Sequence, residues 1–312
     1  VFFRLYGNNS FKEGEKNAKK TAEILKIPFM VLDLRKKFKE IIISYFLKEQ
    51  KEGRTPNPCV LCNKEIKFNF LLKEAQKQKA DFVATGHYAI VKKGKIYRAK
   101  DKQKDQSYFL WKLKREQLEK ILFPIGKIGS KKETRQIAKK MRLPVFNRKE
   151  SREICFVKDT LKDFLKKNLK TNCGFIRDKN GKIIGEHQGI YFYTIGQRKG
   201  IGVKKNKGNI WYVLKKDIKT NSLIVTDNEK DLEKKELIAK EINWLFGERP
   251  ESSTKIRAKI RSRSDFVPAK LISGQRGKLK VLFNKPQKAI TPGQSVVFYK
   301  GEELLGGGII VE

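Results

Sequence analysis

From Val1 to Ala84 the chain alternates short strand-type apolar runs with stretches of helical pattern, and this alternation constrains its fold more than any other feature. VFF precedes a helical pattern at Glu13–Leu25, and PFMVLDL precedes one at Phe38–Lys51. A cysteine-bearing loop, GRTPNPCVLC, then leads into a helix from Asn63 to about Gln78, followed by DFVATGH. Strands separated by helices of crossover length predict a parallel sheet, the α/β class. A hairpin-like stretch, YAIVKKGKIYRA, comes next, and then helical patterns at Arg115–Leu122 and Lys131–Met141. Ser130 lies three residues before Glu133, where it can cap the second of these, and Pro144 ends it.

The texture changes at Gly174. FIRD and KIIGEH flank an Asn180-Gly181 turn and predict a β-hairpin, with NIWYVLKKD and NSLIVTD as a second pair. From about Leu237 the runs IRAKIRSRSD, VPAKLIS, KLKVLF, SVVFYK and LLGGGII recur with turn residues between them, the pattern of a small barrel or sandwich. The expected organisation is an α/β domain over residues 1–160, a central β-rich domain over 161–235 and a C-terminal β-barrel over 236–312. No internal repeat or low-complexity linker interrupts it.

With 312 residues, 39% of them hydrophobic, the chain can bury a sizeable core. Its longest apolar runs fall far below the roughly 20 residues of a membrane span, and no charged-then-apolar leader opens it, so a cytoplasmic location is expected. Lys and Arg number 72 against 34 Asp and Glu, a net charge of +38. Such an excess suits a polyanionic partner, because each phosphate neutralised releases a condensed counterion. Lysine is nevertheless scattered alongside many Ile, Asn and Phe, as an AT-rich genome would also produce, so charge alone leaves both explanations open.

Four cysteines at irregular spacing do not make a disulfide scaffold and are better kept for chemistry, metal or packing. Cys59 and Cys62 form a C-x-x-C with three readings. A zinc site needs two further ligands, but Cys155, Cys173, His87 and His187 are isolated from one another. A redox pair is possible, since a helix N-terminus lowers a thiol's pKa. In the third reading only Cys62, just before the helix opened by Asn63, is the active thiol. Cys155, in SREICFVKD, and Cys173, in TNCGFI, read by themselves as packing residues.

Taken together, these segments resemble the tRNA-specific 2-thiouridylase family. The matching stretches cover nearly the whole chain: GRTPNPCVLCNKEIKF, ATGHYA at Ala84–Ala89, KDQSYFL at Lys104–Leu110, SREICF at Ser151–Phe156, GEHQGIYFYTIGQRKGIG at Gly185–Gly202, TPGQSVVFY and LLGGGII. The resemblance implies an adenine nucleotide alpha hydrolase-like α/β domain followed by two β-rich domains, and ATP-dependent 2-thiolation of the wobble uridine of tRNA. It implies Cys62 as nucleophile and Cys155 as persulfide carrier, joined in a transient disulfide during turnover. ATP, with magnesium, would meet Phe3 and Gly86, and no tightly bound metal is expected. Asn57, Pro58, Cys59, Lys104, Asp105, Gln106, Arg261 and Ser262 fall at tRNA-contacting positions, Cys59 at one that varies between Cys and Asp. The implied partners are tRNAs reading Lys, Glu and Gln codons and sulfur-relay proteins fed by a cysteine desulfurase, with no membrane. His87 and Gln197-Arg198 carry no assigned role beyond local structure or proximity to RNA.

One departure stands out. The family opens with a strand and a Ser-Gly-Gly-x-Asp-Ser loop that cradles pyrophosphate, and here Gly7-Asn8-Asn9-Ser10 is only a turn after a strand. The chain, opening on Val1, is therefore expected to start roughly 30 residues late, one strand–loop–helix unit. The alternative expectation is a tRNA-binding remnant without ATP-dependent activity. A zinc-stabilised RNA-binding protein using Cys59 and Cys62 is a third.

Overall fold

The structure, a computed structural model, describes residues 1–7, 9–147, 154–157, 160–203, 210–251, 253–275 and 277–311. β1 (Phe2–Arg4) and β2 (Val31–Asp33) pair in parallel, Phe2 opposite Val31, with the helix Asn9–Ile24 crossing between them. Asn8, in the expected Gly7–Ser10 turn, lies outside the described residues, and the helix already runs from Asn9. A second helical stretch spans 35–51, widening to π pitch at Lys39–Ile43. Its Phe38, Ile42 and Phe46 recur every four residues, so one face is buried against Leu5, Leu34 and Phe156.

The third helical stretch spans 58–77 and widens to π pitch over Cys62–Phe68. It begins at Pro58, one turn earlier than expected, because a proline at the first helical position has its φ already set and no N–H to lose. β3 (Val83–Ala84) follows, then the hairpin of β4 (Ala89–Lys92) and β5 (Lys95–Arg98), closed by Lys93 and Gly94 with φ of 50° and 70°. Two successive positive φ values give the turn whose twist matches the strands it joins. β6 (Ile121–Leu122) pairs in parallel with β3. The helical pattern expected over Arg115–Leu122 thus yields a single turn at Arg115–Leu118 before the chain straightens, since pairing with β3 outweighs local propensity. Ser130 caps the helix Lys131–Lys140, its hydroxyl accepting from the Glu133 amide at 3.2 Å.

The parallel pairing falls in two separate two-stranded sheets, β1–β2 and β3–β6, and residues of β1 and β3 line one cleft. After the helix Leu161–Asn168 come β7 (Gly174–Arg177), β8 (Ile183–His187), β9 (Tyr212–Asp217) and β10 (Ser222–Thr226), in the sheet order β8-β7-β10-β9. Both expected hairpin pairings are present, β7 with β8 and β9 with β10.

The C-terminal strands are β11 (Glu233–Trp244), β12 (Ile256–Lys259), β13 (Val267–Ser273), β14 (Leu279–Lys288), β15 (Ser295–Lys300) and β16 (Glu303–Ile310). They close in the order β11-β14-β13-β12-β15-β16-β11, so the alternative of a sandwich is resolved in favour of a barrel. Closure depends on β11, which pairs with β14 along its first part and with β16 along its last. A bulge at Glu241, φ 51°, bends it between the two.

The α/β unit and the barrel share one core. β5 adds to the barrel strand β16, with Ile96 opposite Leu304. The segment Ser107–Trp111 is driven between them. Trp111 Nε1 donates to Ser295 Oγ at 3.0 Å, Tyr108 Oη donates to the Ser295 carbonyl at 2.8 Å, and Ser107 Oγ meets Tyr299 Oη at 3.0 Å. Gly307 makes room for this: a Cβ there would lie 2.8 Å from the Trp111 ring.

Candidate active site

The loop before the Cys62 helix is clamped from both sides. Arg54 binds Glu49 through two nitrogens at 2.7 and 2.6 Å, and the Thr55 amide donates to the Pro292 carbonyl at 2.9 Å. Gln294 Nε2 donates to the Thr55 carbonyl at 2.7 Å. The barrel loop Thr291–Gln294 therefore fixes where the helix starts. Gly293 is needed at this clamp, because its φ is 92° and a Cβ would crowd Thr55 at 3.0 Å.

Cys62 lies inside the helix rather than ahead of it, and is only 6% exposed. It packs in the cluster that contains Phe156 and Val157, the neighbours of Cys155. Phe156 is fully buried edge-on against Phe38 at 5.7 Å and Phe46 at 5.4 Å, which anchors the short described turn carrying Cys155. Cys155 itself stays exposed, so its neighbour does the packing expected of it. Cys59, three residues before Cys62, also reaches the surface. Cys173 is exposed as well: it precedes β7, where Ile176 is the buried residue, and its carbonyl accepts from Asn221 Nδ2 at 2.8 Å. That overturns its assignment to packing. All four cysteines are free thiols in this structure. The remaining members of SREICF, Ser151–Glu153, lie outside the described residues.

The expected lowering of a thiol pKa at a helix N-terminus is not what the structure gives. Burial pushes the Cys62 thiol up to about 12 and Cys155 up to about 11, and it raises Cys59 too. Protein mass around a sulfur desolvates it even where some of its surface remains open, and desolvation disfavours the anion. The three thiols are electrically coupled: Cys62 senses Cys155 and Cys59, and Cys155 senses Cys59. Lys67 opposes the rise at all three, joined at Cys155 by backbone hydrogen bonds from Cys155 and Phe156. Lys67 had no sequence signal as long as the helix was read at α pitch. In a π turn residues five apart share a face, which places Lys67 with Cys62.

Below the thiols a buried polar chain runs from Thr85 Oγ1 to His87 Nδ1 at 2.7 Å, from His87 Nε2 to Asn63 Oδ1 at 3.2 Å, and from Asn63 Nδ2 to the Phe109 carbonyl at 3.0 Å. Burial lowers His87 to about 3 and keeps the ring neutral. With Asn63 Oδ1 able only to accept, the proton sits on Nε2 and Nδ1 accepts from Thr85.

A cleft of about 720 Å³ adjoins this chain, lined among others by Phe3, Lys67, Phe82, Gly86, His87 and Gln106. Phe3 and Gly86 are thus brought to one cavity although they belong to the separate pairs β1–β2 and β3–β6. A Cβ at Gly86 would meet only Ile125 Cδ1 at 3.8 Å, so bare backbone faces the cleft without the fold requiring it. The walls are largely apolar, and the charged side chains among them are Lys67 and Glu74.

The residues expected to contact tRNA divide into groups. Asn57, Pro58 and Cys59 open the Cys62 helix. Asn57, from the α/β unit, favours the Tyr108 phenolate by a hydrogen bond, and Arg261, from the barrel, acts on Tyr108 through its charge. Arg261 is half-buried and donates to the Ala289 carbonyl at 2.6 Å and Thr291 Oγ1 at 2.9 Å. Gln106 lies in the cleft, where its Oε1 accepts from the Tyr88 amide at 3.0 Å. The Asp105 carboxylate turns inward, accepting from Arg98, the Ala99 amide and Ser107. Lys104 beside it is half-buried. Ser262 follows β12, and its carbonyl accepts from Lys259.

Residues 3–159 match the family model of the tRNA methyl transferase HUP domain. Residues 162–227 match a tRNA methyl transferase PRC-barrel domain, and 234–310 an aminomethyltransferase β-barrel domain. The tRNA-specific 2-thiouridylase MnmA 2 of Clostridium botulinum strain Hall is 44% identical over 308 residues, 96% of this chain and 86% of that protein. The tRNA-specific 2-thiouridylase MnmA of Clostridioides difficile strain 630 is 43% identical over 94% of this chain and 83% of its own length. MnmA 2 of Thermoanaerobacter sp. strain X514 is 44% identical over 94% of this chain and 82% of its own.

Proposed function

The chain belongs to the tRNA-specific 2-thiouridylase family, and we propose that it is a tRNA-uridine 2-sulfurtransferase in which Cys155 carries the sulfur as a persulfide and Cys62 is its nucleophilic partner. The observation that carries this reading is the meeting of Cys62 with the Cys155 turn in one apolar cluster, although the two are far apart in sequence. ATP, when bound, supplies the adenylyl group that makes the 2-oxygen of uracil a leaving group. Phe3 and Gly86 would hold its base and ribose in the cleft, and Lys67 offers the positive charge there.

The persulfide's outer sulfur becomes the 2-sulfur of uridine, either by direct attack or after release as hydrosulfide. Cys62 attacks Cys155 Sγ, the bond from Sγ to the outer sulfur breaks, and a Cys62–Cys155 disulfide forms. That disulfide needs two electrons before the next turnover. Because burial holds the Cys62 proton on, its removal is a step the site must assist, and Lys67 stabilises the resulting thiolate. Asn57, Pro58, Cys59, Lys104, Gln106, Arg261 and Ser262 form the candidate tRNA-facing set, while Asp105 shapes the loop between them. The lysine-rich composition supplies affinity for the phosphate backbone. The acceptors are the tRNAs reading Lys, Glu and Gln codons, with sulfur delivered by carrier proteins fed by a cysteine desulfurase.

The test feeds sulfur to the chain with a cysteine desulfurase and cysteine, maps persulfide by mass spectrometry, and measures tRNA binding in parallel. The wild type is expected to carry the label on Cys155. Cys155→Ser is expected to lose it while its Kd for tRNA stays within about twofold. Label that persists undiminished in Cys155→Ser would refute the assignment.

A further inference from the structure

The proposed chemistry uses two thiols, and the structure holds a third beside them. Cys59 lies one helical turn before Cys62, on the same face. Residues three apart on a helix stand within the Cα separation that a disulfide spans, roughly 4.4–6.8 Å. Cys59 reaches the surface while Cys62 does not, and it is coupled electrically to both other thiols. No packing role explains it, since its neighbours Pro58 and Val60 are buried and Cys59 is not.

We propose that Cys59 is a resolving thiol that moves the disulfide left after sulfur transfer from Cys62–Cys155 to Cys59–Cys62, where an external dithiol reduces it. The inference rests on the reading of Cys62 and Cys155 given above. Cys59 thiolate attacks Cys62 Sγ, the Cys62–Cys155 bond breaks, the Cys59–Cys62 bond forms, and Cys155 leaves as a thiolate that takes up the proton lost by Cys59. No net oxidation occurs in this exchange. A dithiol then attacks Cys59 Sγ and expels the Cys62 thiolate. Its second thiol frees Cys59, so the dithiol leaves as a disulfide having supplied two electrons and two protons. The direction follows from the helix: Cys59 stands one turn before Cys62 on the same face, so the sulfur within its reach is that of Cys62. The relay also returns Cys155 to its thiol form, ready for the next sulfur, before any reductant arrives.

The experiment uses the chain with its exposed Cys173 replaced by Ser, with and without Cys59→Ser. Each is oxidised with diamide, quenched with iodoacetamide and mapped by mass spectrometry, and the oxidised forms are then timed during reduction by dithiothreitol. The expected result is Cys59–Cys62 as the main disulfide when Cys59 is present and Cys62–Cys155 when it is Ser, the latter reduced at least about tenfold more slowly. If Cys62–Cys155 is the main disulfide in both, reduced at equal rates, the relay is overturned and the two-thiol reading stands. If Cys62–Cys155 does not form even in Cys59→Ser, the two-thiol reading falls, and the relay with it.

Discussion

His87 shows how burial fixes the state of a single group. Its ring is held between Phe68 and Phe123, with centroids at 5.5 and 5.6 Å, and both nitrogens are occupied. The folded chain keeps it neutral down to about pH 3, whereas an unfolded histidine takes a proton near 6.5. The unfolded state therefore binds the extra proton as pH falls below 6.5, and stability drops across that window. Between pH 7.5 and 5.5 the wild type should lose about 1.4 kcal/mol more than His87→Gln, as read by urea denaturation at both values. Equal losses would show that His87 is not the group responsible. The histidine was visible in ATGHYA, but its neutrality was not, because desolvation comes from Phe68 and Phe123, which lie in other segments.

At the level of elements, the glycines of LLGGGII were read only as part of a strand. Their reason lies in what packs across β16. Gly307 faces the Trp111 ring and the Val296 carbonyl, each 2.8 Å from a would-be Cβ, and neither can move without opening the shared core. Gly307→Ala should therefore cost about 1–3 kcal/mol by overpacking. Its tryptophan emission should shift to the red as Trp111 is loosened. Gly86→Ala, whose methyl meets nothing closer than 3.8 Å, should stay within about 0.5 kcal/mol of wild type in the same denaturation assay. If the two variants proved equally stable, Gly307 would not be a packing requirement. The Cys62 helix makes a related point. Its existence was legible from periodicity, but its start at Pro58 and its π turn were not, and these decide that Cys62 is buried and that Lys67 shares its face.

For the whole molecule, the charge of +38 bears on affinity rather than fold. Binding of tRNA should weaken steeply with salt, by about 10³-fold or more between 50 and 200 mM if six or more phosphates are neutralised. Arg261→Ala separates two roles for a guanidinium that already braces Ala289 and Thr291. A phosphate contact predicts a slope of log K against log salt shallower by about one, while bracing alone predicts lower stability at an unchanged slope. In the described residues no helix is long and apolar enough to cross a membrane. The order of strands and helices apart from β6, the change to β structure after Gly174 and the residue types of the candidate site were determined by the sequence itself, because periodicity, turn residues and motifs are local. Closure of the barrel, insertion of Ser107–Trp111 between barrel and α/β unit, and the meeting of Cys155 with the helix that carries Cys59, Cys62 and Lys67 were decided only by tertiary structure. Each depends on pairings and burial between distant segments, and burial, not sequence neighbours, sets the protonation of the groups that would do the chemistry.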